Sequence, residues 1–378
     1  MSKFLLIPDS FKGTMSSEEI CSIMEKAVRQ NYPDANIISI PVADGGEGSV
    51  EAFLKAVGGE KVRLTVKGPF FQDMEAFYGI IDRGNTAIIE MAACAGLPLV
   101  ENNPDPKRTT TYGVGQMIED AIRRGCQKII MGLGGSCTND AGAGAAAALG
   151  VIFTNHLGEA FIPTGGTLKE IAHIDTSKLL PSLKEIELIT MCDIDNPLYG
   201  EKGAAYVFAP QKGATPEVVK ELDEGLKHLD QIIQKDLLLS LAEIKGAGAA
   251  GGMGCGMVAF FGSTLQMGIE TVLDTVRFDE LLKDADYVFS GEGKIDTQSI
   301  RGKVVIGIAK RTKLANVPLI AFVGDIGDDI EKAYERGVSG IFSINRVAVE
   351  YKEAKKRARE DLYLTVDNLL RFMRATKK

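Results

Sequence analysis

The residues with the most chemical content lie in one run, Gly132-Leu133-Gly134-Gly135-Ser136-Cys137-Thr138-Asn139-Asp140-Ala141-Gly142-Ala143-Gly144. An apolar segment, Lys128-Ile129-Ile130-Met131, leads in, and Ala145-Ala146-Ala147-Ala148-Leu149-Gly150 leads out. This pattern predicts a strand, a glycine-rich turn and a helix. Glycine lets a backbone turn tightly and approach a ligand closely. A helix start offers free N–H groups and a partial positive charge. The combination suits an anion, most often phosphate. Ser136 and Thr138 add hydroxyls, and Asp140 adds a carboxylate able to hold a metal near the phosphates. A tight turn before a buried small-residue helix would use the same residues. The run is not a Walker A motif, because no Gly-Lys-Ser/Thr follows.

Acidic and basic residues fall at the ends of other apolar segments. Asp9, Ser10 and Lys12 follow Phe4-Leu5-Leu6-Ile7, and Asp44 and Glu47 follow Ile37-Ile38-Ser39-Ile40 within a glycine cluster. Glu292 and Asp296 follow Tyr287-Val288-Phe289, with Lys303 a little beyond. Asp193 and Asp195 end the segment Ile186 to Met191. Acids and glycines also make turns and caps, which is the preferred reading for Asp325, Asp328 and Asp329. For Asp9/Lys12, Asp44/Glu47 and Glu292/Asp296, the coincidence at three strand ends favours function. The chemistry suggested is phosphoryl transfer, which needs positioning and charge neutralisation more than covalent catalysis. Its parts are a phosphate cradle, carboxylates for Mg²⁺, a cation on developing charge and a carboxylate near the acceptor hydroxyl. A serine hydrolase is the weaker reading. Neither Ser10 nor Ser136 sits in G-x-S-x-G, and His156, His173 and His228 lie in no comparable loop.

The elements that must position these residues alternate at both ends of the chain. A strand at Phe4–Ile7, a helix from about Glu18 to Gln30 capped by Ser16 or Ser17, a strand at Ile37–Ile40 and a helix at about Ser49–Val57 make a βαβα start. The middle differs, with extended segments at Lys61–Gly79 and Thr86–Met91, a helix at Tyr112–Arg124 and a helix at Pro216–Gln234. The end returns to alternation, with strands at Tyr287–Phe289, Leu319–Val323 and Gly340–Ile344 and a long charged helix closing the chain. The economical fold class is α/β: a discontinuous doubly wound (Rossmann/flavodoxin-like) parallel-sheet domain from residues 1–66 and 286–378, its sheet holding five strands. A second α/β domain, residues 67–285, is inserted and carries the glycine-rich phosphate loop. Ligands of such sheets bind beyond the carboxyl ends of the strands, and domain interfaces favour ligand sites.

Composition narrows the classes. The chain has 378 residues, 45% hydrophobic and 25% charged, which is ample for a packed core. A net charge of −8 without an isolated basic block argues against nucleic acid. The six cysteines are scattered without a C-x-x-C pair and there are three histidines, so a zinc site is not expected. Reduced thiols in a cytoplasmic protein are the simplest account. A proline and an aspartate by position 9 leave no signal-peptide pattern. Gly246 to Ile269 carries no charged residue, but its glycines and polar residues predict a tightly packed turn and buried helix rather than a membrane span.

These motifs, in order, resemble those of the bacterial type I glycerate kinases, the glycerate 2-kinase family. The resemblance runs through Pro8-Asp9-Ser10-Phe11-Lys12-Gly13, Ala43-Asp44-Gly45-Gly46-Glu47-Gly48, Gly132-Leu133-Gly134-Gly135-Ser136 and Thr138-Asn139-Asp140. It continues through Ala249-Ala250-Gly251-Gly252 and Gly291-Glu292-Gly293-Lys294-Ile295-Asp296, with Gln298-Ser299 and Gly302-Lys303. Cys137 stands where the family usually has alanine, Ala141 where it often has glycine, and Lys294 where arginine is common, which keeps charge but not fork geometry. The resemblance implies a two-domain enzyme with its site in the cleft, phosphorylating D-glycerate with ATP and Mg²⁺ at the 2-hydroxyl to give 2-phosphoglycerate.

On that basis the backbone of Gly134, Gly135, Ser136, Thr138 and Asn139 is expected to cradle the ATP phosphates. Asp193 and Asp296 are expected to bind metal or orient the acceptor hydroxyl, with Asp140 a further metal candidate. Lys12 and Lys303 are the cations for the glycerate carboxylate or the moving phosphoryl. Asp9, Ser10, Asp44, Glu47 and Glu292 are expected to line the substrate site. The partners expected are ATP and D-glycerate, with no nucleic acid and no membrane, in a chain that could pair as a homodimer. Two alternatives stay open: a kinase of the same family with another small hydroxy acid or a 3-phosphoglycerate product, and a non-catalytic sugar-acid or nucleotide-binding regulator.

Overall fold

The computed structural model describes residues 2–42, 45–46, 48–296, 303–328 and 330–376. Its strands are β1 (Lys3–Leu6), β2 (Asn36–Ser39), β3 (Glu60–Lys67), β4 (Asp73–Ile81), β5 (Thr86–Glu90), β6 (Lys128–Gly132) and β7 (Ile152–Thr154). There follow β8 (Ala160–Phe161), β9 (His173–Asp175), β10 (Glu187–Met191), β11 (Thr264–Gln266), β12 (Tyr287–Ile295), β13 (Leu319–Ile326) and β14 (Val338–Ser343). The fold is mixed α/β with parallel sheets. The chain divides into two compact units, Met1–Asp44 with Met267–Lys378, and Gly45–Gln266.

In the first unit, five strands pair in the order β14-β13-β12-β1-β2, every pair parallel. The inner strands β1, β12 and β13 carry apolar runs buried on both faces, while the edge strands β2 and β14 are partly exposed. Phe4, Phe289 and Phe322 pack edge to face across one face with ring centroids 5.5 and 5.3 Å apart. Over that face lie the helix Ser17–Asn31, through Ile20, Met24, Ala27 and Val28, and the helix Tyr351–Thr376, through Leu362, Val366 and Leu370. Both sets recur at helical spacing, so each helix buries one stripe. Ser16 caps the first of these helices, its hydroxyl accepting from Glu19 N at 3.1 Å. The helix Val304–Ala315 also packs on this sheet, with Val305, Ile306 and Ile308 fully buried.

The second unit holds a six-stranded sheet in the order β11-β10-β6-β5-β4-β3. The four strands β11, β10, β6 and β5 are parallel, and β4 and β3 run antiparallel. A small antiparallel sheet, β8-β7-β9, lies apart from it in the pairing. The charge-free stretch forms the helical segment Ala249–Phe261, which opens with positive φ at Ala250, Gly251 and Gly252 and is buried along most of its length. No helix among the described residues is long and apolar enough to cross a membrane.

The units meet in sequence at 44/45 and 266/267, not at 66/67 and 285/286. Local packing accounts for the difference. The helix Ser49–Val57 lies on β4, where Gly79 leaves room for Val50 and Leu54, and is capped from β5. Residues 267–285 are held to the first unit. Ile269 packs on Gly307, and Arg311 reaches Glu270, Asp274 and Asp279 at 3.0, 2.7 and 2.6 Å.

Leu362 is fully buried between its helix and the aromatic face. Leu362→Ala is expected to cost about 2–5 kcal/mol through lost burial and the cavity left behind. The effect would be read as a lower urea midpoint for the unit's transition.

Candidate active site

In the second unit three parallel strands end in register. Glu90 of β5 and Met191 of β10 both lie opposite Gly132 of β6. The segments that leave these ends occupy the carboxyl edge of the sheet, where open α/β sheets bind ligands. The chain after Gly132 runs against Gly45–Gly46. A Cβ on Gly132 would stand 2.4 Å from the Gly45 carbonyl oxygen, and one on Gly134 2.4 Å from Gly46 Cα. Only glycine admits that approach. Gly134 N donates to Gly45 O at 2.9 Å, so the two glycine-rich motifs form one structure. Asp44 and Glu47 of the second motif lie outside the described residues.

The far side of the loop is held as firmly. Cys137 N donates to Ala95 O at 2.9 Å, Leu97 N to Gly135 O at 2.8 Å, and Ala141 N to Gly251 O at 3.1 Å. These bonds take up the N–H groups of Gly134, Cys137 and Ala141. Among the described residues they leave those of Gly135, Ser136, Thr138 and Asn139, four of the positions expected to cradle phosphate.

The helix after the loop, Ala143–Ala148, is six residues long and its start is not open to an anion. Asp140 occupies that place. Its Oδ2 accepts from Thr111 N, Thr111 Oγ1 and Gly144 N at 2.8, 2.9 and 3.3 Å, and its Oδ1 from Gly142 N at 3.1 Å. Ala145 N donates in turn to Thr111 Oγ1 at 2.9 Å. Burial pushes the Asp140 carboxyl above its usual range, while the hydrogen bonds pull the other way. Asp140 thus braces the loop, and both oxygens are engaged where a metal was expected.

Beneath the loop lies Lys212, 1% exposed. Its Nζ donates to Ser136 Oγ at 2.8 Å and to Thr138 O at 2.6 Å. Burial pulls the ammonium down to about 8, against the opposing influence of Cys137 and Asp140. The neighbouring Cys137 thiol is pushed up to about 12, mainly by burial, so it stays a neutral packing group. Thr138 Oγ1 and both side-chain amide atoms of Asn139 are buried without a hydrogen-bond partner among the described residues. Buried polar atoms are nearly always satisfied, so these mark a place completed by water or ligand.

Past β10, Asp193 and Asp195 are exposed, and Asp195 faces Lys245 with 3.7 Å between oxygen and nitrogen. Asp193 therefore stands at the same sheet edge as the loop. No group of three His, Cys, Asp or Glu among the described residues could by itself cage a metal. Mg²⁺ does not need one, since it binds through one or two carboxylates together with phosphates and water.

In the first unit, β1 continues towards β2 on one side while β12 continues to β13 on the other. The strand order therefore reverses between β1 and β12, the position at which sheets of this kind bind ligands. Asp9 N donates to Gly291 O at 2.8 Å, and Ser10 N to Asp9 Oδ1 at 2.7 Å. A Cβ on Gly293 would stand 3.6 Å from Phe11 Cα and 3.7 Å from Lys12 N. The structure thus brings Asp9, Ser10 and Lys12 beside Glu292 and Gly293. Glu292 is buried, Asp296 half-buried, and Lys12 exposed. Lys303 is exposed at the start of the helix Val304–Ala315. Lys294 faces Asp325 at 3.5 Å, in keeping with a structural role for Asp325.

A family model described as the glycerate kinase family matches residues 4–374. The chain belongs to the glycerate kinase family. A glycerate kinase of Halalkalibacterium halodurans is 46% identical over 91% of each chain. A glycerate 2-kinase of Escherichia coli is 42% identical over 90% of each. A crystal structure of a protein assigned as glycerate kinase 2, from Salmonella typhimurium, superposes with a TM-score of 0.86 at 39% identity, covering 99% of this chain and 98% of that one.

Two residues of this glycerate kinase family member escape sequence reasoning. Lys212 lies in Pro210-Gln211-Lys212-Gly213, a short turn far along the chain from the loop it supports. Glu90 ends a buried strand, 2% exposed, and accepts from Gly48 N at 3.2 Å and Val50 N at 2.5 Å. It caps the helix Ser49–Val57, whose own N-cap, Gly48, has no side chain to do so. An acid at the end of an otherwise apolar run is the one signal that could have flagged Glu90.

The buried ammonium gives a pH dependence with a definite sign. Native Lys212 loses its proton near 8, whereas an unfolded lysine keeps it to about 10.5. Between those values the unfolded state binds more protons, so stability rises with pH. Wild-type protein is expected to gain stability relative to Lys212→Met across that interval, measured by urea unfolding at stepped pH. A difference that stays flat would show that the ammonium is not depressed.

Proposed function

We propose that this protein transfers the γ-phosphoryl group of ATP to D-glycerate at the 2-hydroxyl, giving 2-phosphoglycerate and ADP. The observation that carries the reading is the loop Gly134–Asn139, with open N–H groups, unsatisfied buried polar atoms and a cation beneath it. The 2-position is supported by the Escherichia coli relative, which is named a glycerate 2-kinase.

In this reading the loop holds the ATP phosphates through Gly135, Ser136, Thr138 and Asn139. Asp193 and Asp296 are the carboxylates for the metal and for the acceptor hydroxyl. Mg²⁺ held by one of them would neutralise charge on the phosphates. Lys12 and Lys303 answer the glycerate carboxylate and the moving phosphoryl. Asp9, Ser10 and Glu292 orient the acceptor, with Asp44 and Glu47 in the same set. The first unit reads as a discontinuous doubly wound domain into which a second α/β domain is inserted, supported by the 2-1-3-4-5 order of its five parallel strands. A cytoplasmic setting is supported by six free thiols.

Incubation with Mg-ATP and D-glycerate, followed by phosphorus NMR, is expected to show 2-phosphoglycerate. A 3-phosphoglycerate product would overturn the regiochemistry, and ATP binding without turnover would favour a regulator. Asp193→Asn and Asp296→Asn are each expected to lower kcat by about 10²-fold or more in folded protein. Partial recovery at raised Mg²⁺ identifies the metal carboxylate, and no recovery identifies the residue on the hydroxyl. Near-normal turnover would remove that residue from the site.

A further inference from the structure

A buried lysine is costly to keep, and Lys212 is unusual in how it is kept. No carboxylate among the described residues lies within ion-pair distance of it. The nearest acidic group of the loop, Asp140, has both oxygens engaged by Thr111, Gly142 and Gly144. Buried charges are normally paired or bound to a ligand. Lys212 is held by two neutral oxygens, Ser136 Oγ and Thr138 O, at 2.8 and 2.6 Å. An ammonium has three N–H donors, so one has no partner among the described residues. The same loop carries the unpartnered Thr138 Oγ1 and the unpartnered Asn139 amide, whose residue is 0% exposed. Donors and charge are therefore in excess at one place.

We propose that Lys212 is a positioning residue for the nucleotide phosphates, acting through Ser136 and the Thr138–Asn139 peptide. The inference rests on the reading of Gly134–Asn139 as the phosphate loop. Two pieces of elementary chemistry give it content. Phosphate oxygens accept hydrogen bonds, so the loop must present donors. Ser136 Oγ already accepts from the ammonium, which leaves its own proton to be donated onward. The peptide unit is planar and trans, with C=O and N–H pointing opposite ways. Because Lys212 holds the Thr138 carbonyl, the Asn139 N–H is turned away from the lysine and left to donate. An arriving phosphate would also supply the negative charge that the buried ammonium lacks, in a setting where electrostatic attraction is strong.

The test compares Lys212→Met, Ser136→Ala and the double variant, with ATP and ADP affinity measured by calorimetry and kcat and KM measured alongside. Lys212→Met is expected to weaken ATP and ADP binding by about tenfold to a hundredfold and to leave the KM for glycerate in place. A role confined to folding would not produce that split. The double variant is expected to bind no more weakly than the weaker single one, because both changes break the same chain of donors. Nucleotide binding that weakens additively would overturn action through Ser136. Unchanged nucleotide binding in Lys212→Met, with loss in Ser136→Ala, would overturn the role of Lys212 and leave the phosphate loop standing. Unchanged binding in both would overturn the loop assignment itself. Should the Met variant not fold, Lys212→Gln removes the charge with a shorter polar chain and is read on the same criteria.

Discussion

The structure of the candidate site depends on one constraint, the contact of backbone with backbone around the strand end at Gly132. The Gly45–Gly46 segment and the loop approach so closely that a single Cβ at Gly132 or Gly134 would collide with main chain. On the other side Gly251 lies against Thr138 O and Asn139 Cα at distances that also exclude a side chain. The loop is clamped between two stretches of bare backbone. Its shape is therefore set before any ligand arrives, which is what electrostatic preorganisation requires.

The clamp creates a difficulty that three charged residues resolve. Bringing bare backbone together buries N–H and C=O groups that need partners. Asp140 satisfies two donors at the start of the short helix Ala143–Ala148, Gly142 N and Gly144 N, and two of Thr111, its N–H and its hydroxyl. Glu90 satisfies two at the start of the helix Ser49–Val57. Lys212 takes the Thr138 carbonyl and the Ser136 hydroxyl. Two acids thus quiet the helix starts, and one base leaves outward donors on the loop. In the proposed reading, anion binding falls to the turn before the helix rather than to the helix end, where the sequence pattern puts it.

The first unit solves a simpler problem. Its parallel sheet presents strand ends whose polar residues are placed by register alone. The β1–β12 pairing sets Asp9 beside Gly291, and the bare face of Gly293 admits Phe11 and Lys12. Main-chain hydrogen bonds, such as Asp9 N to Gly291 O, help define that arrangement.

Membership in the glycerate kinase family and the α/β class were legible in the sequence, because they rest on local signals. Apolar runs of strand length, helical stripes such as Ile20, Met24 and Ala27, and glycine motifs in order survive without any knowledge of what packs on what. The strand-end positions of Asp9 and Asp193 were legible for the same reason, whereas Glu292, expected after its strand, lies within β12, which runs on to Ile295 in register with β13. The sequence could not show that Asp140 accepts from Gly142 and Gly144 at the helix start and from Thr111, which is 29 residues away. Nor could it find Lys212, whose partners Ser136 and Thr138 lie 76 and 74 residues off. Local pattern fixes which segments bend and which extend, but only tertiary packing decides which charges are buried together, because desolvation and pairing act across space and not along the chain.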